Sequence, residues 1–295
     1  MSYQILENYR DDQINKILNN ESGNFGDKQK DYINKLSETE KRTIKSLLIE
    51  HIKLDKLDTS EPEIYIETEM QSAVSHLDNL TSHLKDDIFP LLSRTSGGAP
   101  FTVLRNILCY CDCIARLQYG QKGHSGDLEK LFENFGPYDY IQKRYHEYKK
   151  YLIQLYRHDL VHTVRPWSKI MFININNQVY LNYIGWQIIA ELNDTTNIVG
   201  TDFFGLKSLL AHESNRKGLI HLRLDKNSRS PIINVYCFLF DLVNYIDKLK
   251  NSLHTNSHDM EKFLKNLIDI IIESNCRLLR PDVPTLDLDN NKITG

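Results

Sequence analysis

Ile141, Tyr145, Tyr148, Leu152 and Leu155 recur at intervals of four, three, four and three residues. That rhythm follows the helical turn, so it lays an apolar stripe along one side of a helix and demands neighbours to cover it. The same spacing returns elsewhere. Ala73, Leu77, Leu80, Leu84, Ile88 and Leu91 predict a long helix over about 64–94. Phe101, Leu104, Leu108, Cys111 and Ala115 predict another that ends near Gly120, with SGGAPF (96–101) as the break between the two. Several such stripes in one chain of 295 residues call for packed helices around a shared core.

The remaining segments fill in a mostly α architecture. Ser37-x-x-Glu40 is a capping-box pattern that opens a helix carrying Ile44, Leu47, Leu48 and His51 on one side. NNESGNFGD (19–27) reads as a loop, and 128–135 as a short helix before FGP. Pro166 disfavours helix at Arg165, so the helix that begins near Ile141 should stop around 162–164. The period then changes. KIMFINI (169–175) and QVYLNYI (178–184) are rich in β-branched and aromatic residues and flank Asn176-Asn177, which predicts a hairpin. KGLIHLRLD (217–225) is expected to add a third antiparallel strand. Helices over 231–253 and 257–279, the latter with Phe263, Leu264, Leu267, Ile270 and Ile271, and a tail at 281–295 complete the chain. The expected organisation is an N-terminal helical extension (1–62), a helical domain (63–280) with a β insert at about 169–225, and the tail.

Composition narrows the function. Apolar residues at 41% and charged residues at 25% are ordinary for a globular protein. No basic region followed by an apolar run opens the chain, and no stretch has the roughly 20 apolar residues of a spanning helix. Five cysteines, three of them in CYCDC (109–113), do not form an extracellular disulfide pattern, so a reduced cytoplasmic setting is expected, away from membranes. Net charge is −3, yet residues 141–170 carry seven Lys/Arg against Glu147 and Asp159, a local +5 that leaves −8 for the rest. A positive field on an acidic body suits capture of an anion such as a phosphate backbone; a solvated lysine face is the simpler explanation.

Within that basic segment lies LYRHDLVHTVRPW (155–167). The apolar stripe of the preceding helix extends onto Asp159 and then His162, so polar groups stand where core residues should continue. Histidine titrates near neutrality and suits proton transfer, whereas arginine stays charged and forks onto two phosphate oxygens. Arg157 and His162 thus pair a group that can hold phosphate oxygens with one that can move protons. His158 and Asp159 are candidates for orienting His162. The structural alternative is a helix C-terminus whose cations meet the dipole, with Arg157 and Asp159 as an ion pair. Spacing alone does not decide, because Arg216-Lys-Gly-Leu-Ile-His221 repeats it.

Arg157, the polar His158 and His162 match the Arg-polar-x-x-x-His motif of the HEPN superfamily, which this chain resembles. SGGAPFTVLRNILCYCDCIARLQYG, FENFGPYDYIQKRY and RHDLVHTVRPW together resemble bacterial HEPN-like proteins of unassigned role, over roughly 65–167, with 231–253 as the fourth bundle helix. The resemblance implies an up-and-down helical bundle, many of whose relatives are ribonucleases, and a role as a toxin or phage-defence effector with an antitoxin or defence-system partner. It departs from the family in the insertion, since HEPN bundles keep their last two helices close in sequence. Positions five apart lie about 140° apart around a helix, so Arg157 and His162 do not share a face. The resemblance implies a homodimer whose interface brings both motifs into one cleft. The rival from another class is a catalytically inactive HEPN-like dimeric module that binds a protein partner or a nucleotide.

Supporting residues are Arg165, Arg105 and Lys150 for the phosphates and Tyr156 for stacking on a base, with Tyr151 beside it. Cys109, Cys111 and Cys113 cannot all share a helix face and lack zinc-pattern histidines, so they read as packing and no metal is assigned. His76 and His83, seven apart, share a face and read as structural. The sequence contains no phosphate-binding loop, dinucleotide glycine fingerprint, HExxH or GxSxG, so no cofactor is assigned.

Overall fold

The computed structural model describes residues 3–21, 25–52, 62–92, 100–120, 124–153, 169–175, 178–184, 187–189, 202–211, 232–277, 279, 285–287 and 292–294. Among these the chain is mostly helical. It divides into two compact units, one of Met1–Ala73, Leu117–Lys122 and Leu253–Gly295, the other of Val74–Arg116 and Gly123–Ser252.

In the first unit, α1 (Tyr3–Leu18), α2 (Asp27–Lys35) and α3 (Glu38–His51) precede the start of α4 (Pro62–His83). The capping box forms as its residues predict: the Ser37 hydroxyl accepts from the Glu40 backbone N–H, and the Glu40 carboxylate accepts from the Ser37 N–H at 2.7 Å. Of the stripe expected on α3, Leu48 is buried but Leu47 is 60% exposed, so the buried face is narrower than the apolar spacing suggests. Arg10 is buried and donates to the Ile52 carbonyl at 3.1 Å. In α10 (Ser257–Cys276) the buried ridge runs Met260, Leu264, Ile268, Ile272 and Cys276 with Phe263, while Leu267, Ile270 and Ile271 are only half-buried. IDIII holds more apolar residues than one helix face can cover, so the four-residue ridge decides which go inside. The tail is not featureless: β5 (Thr285–Asp287) and β6 (Lys292–Thr294) pair antiparallel.

In the second unit α4 continues to His83, widens to a π-turn at Leu84–Ile88 and tightens to a 3₁₀ turn at Phe89–Leu91. Pro90 explains the change. It has no N–H to offer the Asp86 carbonyl and its ring would strike it, so the regular ladder cannot pass. Most of the stripe still goes inside, with Ala73, Leu77, Leu84 and Ile88 buried and Leu80 and Leu91 half-buried. α5 (Pro100–Tyr119) opens with proline at its first position and stops at Gly120, whose φ of +67° is a left-handed helix stop. Leu104, Leu108, Cys111 and Ala115 are buried as the stripe requires, but Phe101 is 43% exposed.

α6 (His124–Glu133), α7 (Asp139–Tyr151) and α9 (Val235–Thr255) supply an aromatic core. Tyr145 stacks on Phe132 with centroids 6.1 Å apart and meets Phe135 edge-on at 4.7 Å. Phe238 packs against all three, and Tyr245 against Phe135. Such pairs add to area burial through their quadrupoles. A second cluster joins Phe89, Phe203 and Phe240.

The expected three-stranded inserted sheet is not found among the described residues. β1 (Lys169–Ile175) pairs antiparallel with β2 (Gln178–Ile184), while β3 (Gln187–Ile189) pairs parallel with β4 (Ile232–Asn234) in a separate two-stranded arrangement. The third strand expected at 217–225 lies outside the described residues. The insert also contains a helix, α8 (Phe203–Leu210), where only sheet and loop were expected. Asp202 caps it by accepting from the Gly205 N–H at 2.7 Å, and Phe203, Leu206 and Leu210 form its buried face.

Candidate nucleic-acid site

α7 is the element that leads into the motif. Gly136, at φ +110°, turns the chain, and its carbonyl accepts from Gln142 at 3.1 Å and Lys248 at 3.0 Å. Asp139 then places a negative charge in the first turn of α7, where the helix dipole favours it. Ile141, Tyr145 and Leu152 are buried and Tyr148 half-buried, so the apolar stripe faces inward as far as Leu152, while Leu155 lies outside the described residues. Helical backbone continues through Leu152 (φ −57°, ψ −43°), with Ile153 also buried.

The opposite side of α7 is polar. Asp139, Lys143, His146, Glu147 and Lys150 are exposed, and Arg144 is half-exposed. Lys149 is occupied: its ammonium is ion-paired with Glu133 of α6, and that hydrogen bond holds the Glu133 carboxyl below the usual carboxylate range. Of the residues named from the sequence, Tyr156, Arg157, His158, Asp159, His162 and Arg165 lie outside the described residues, as does the decoy at 216–221. Lys150 is on the exposed face of α7, and Arg105 is half-exposed on α5 between buried Leu104 and Ile107. Arg105 makes no hydrogen bond or ion pair to another described residue.

The other candidates resolve by burial. Cys109 is exposed, Cys113 half-buried and Cys111 fully buried, all as free thiols. Burial pushes the thiols of Cys111 and Cys113 up, which disfavours the thiolate a metal or a nucleophile needs. No cluster of three or more His, Cys, Asp or Glu able to hold a metal occurs among the described residues. His76 is half-buried with no hydrogen-bond partner at Nε2, and burial lowers its pKa toward the neutral imidazole. His83 is exposed and lies 4.0 Å from Asp87. No described helix is long and apolar enough to cross a membrane.

The sequence reading missed Asp241. This carboxylate is fully buried on α9 and accepts from the Tyr145 hydroxyl at 2.9 Å, tying α9 to α7 inside the aromatic core. The signal was present: it is the one acid in the otherwise apolar run VYCFLFDLV. No family model matches this chain, no curated protein matches its sequence, and no solved structure matches its fold.

Proposed function

We propose that the chain is an endoribonuclease of HEPN type that cleaves RNA without a metal, as a helical bundle acting in homodimeric form. What carries the reading is α7: its apolar stripe is buried, its opposite face exposes Lys143 and Lys150 beside Asp139 and Glu147, and the sequence continues beyond its end into Arg157-His158-Asp159-Leu160-Val161-His162. In the proposed reaction the RNA 2′-OH attacks the neighbouring phosphorus and the bond to the 5′-oxygen breaks. His162 moves the protons, and Arg157 takes the charge that builds on the phosphoryl oxygens. His158 or Asp159 orients His162, while Arg165, Arg105 and Lys150 hold phosphates and Tyr156 stacks on a base. A toxin or defence effector held in check by a partner protein is the biological setting this chemistry fits.

The test is cleavage of a labelled RNA by purified protein in EDTA. Loss of cleavage in both Arg157→Ala and His162→Ala, with helical content unchanged, supports the reading; cleavage that survives His162→Ala refutes it. The same polar face of α7 also fits a second reading, a catalytically inactive HEPN-like dimeric module that binds a protein partner or a nucleotide. Stable dimers that bind an oligonucleotide and show no cleavage by the unaltered protein decide for that one.

A further inference from the structure

We draw no further inference here: the strongest candidate, the edge of the β1–β2 ribbon along the uncharged strand β2 (Gln178–Ile184), carries nothing, because nothing in the structure shows what covers it.

Discussion

Removing one oxygen from Tyr145 tests how the aromatic core is held together. The ring is 1% exposed, stacked at 9° on Phe132, and its hydroxyl donates to fully buried Asp241 at 2.9 Å. Tyr145→Phe keeps the ring and its packing and deletes only the donor. A hydrogen bond to a carboxylate is worth about 1.5–3 kcal/mol, and a buried acceptor that loses a donor cannot turn to water instead. A loss of about 2 kcal/mol is therefore expected. For a unit the size of Val74–Arg116 with Gly123–Ser252, this lowers Tm by roughly 4–8 °C. Urea unfolding followed by far-UV circular dichroism measures the free energy directly, with an unchanged m-value as the check that only stability moved. Replacing both partners by apolar groups removes the stranded acceptor, so Tyr145→Phe/Asp241→Leu should lose less than the sum of the single changes. A Tyr145→Phe protein within about 0.5 kcal/mol of wild type, or strictly additive changes, would refute the role given to this bond.

Three further outcomes are expected. Gly120→Ala should lose about 1–2 kcal/mol in the same urea assay, because φ is +67° and a Cβ would collide with the Asn266 amide that donates to the Leu117 carbonyl at 2.8 Å. Native protein treated with a chromogenic disulfide should show one fast thiol, Cys109, which disappears in Cys109→Ser, with the remainder of the five reacting only on unfolding. Burial pushes the Cys276 thiol up to about 11, so the native state holds its proton where the unfolded chain releases it. The corresponding stability is complete below the unfolded value of about 8.5 and is lost as pH rises toward 11. The urea midpoint should therefore fall over that window, and fall less in Cys276→Ala.

What was legible in the sequence followed from local rules. The capping box at Ser37, the stop at Gly120 and the buried stripes of α4, α5 and α7 each depend on residues within a turn or two of one another. The misreadings share a different cause. α8 was passed over within an insert read as strands joined by loop, although Asp202 and the Phe203, Leu206, Leu210 spacing carried a helix signal. The parallel pairing of Gln187–Ile189 with Ile232–Asn234 joins segments more than 40 residues apart and has no local signature at all. On α3 and α10 the apolar spacing overstated the buried face, since spacing gives the period of a helix but not the width its neighbours cover.

The same distinction governs the site. Arg157 and His162 were proposed from their chemistry, a fixed cation and a titratable ring, together with the HEPN-like motif, and both lie outside the described residues. Asp241 was passed over because it is 96 residues from Tyr145, the residue that gives it meaning. Yet a carboxylate without solvent exposure is costly unless hydrogen-bonded, so its place in an apolar run already implied a donor elsewhere in the chain. Tyr145 is that donor, on the helix that leads to the motif and on the face opposite Lys143 and Lys150. A bond that fixes the buried side of α7 also fixes the orientation of its charged side. Loss of the Tyr145 hydroxyl should thus loosen the outer side of α7 as well as the core, and amide hydrogen exchange along α7 in Tyr145→Phe at a temperature where it remains folded is the measurement that joins the two. Exchange in α7 equal to that of wild type would mean the core bond stabilises the unit without orienting its surface.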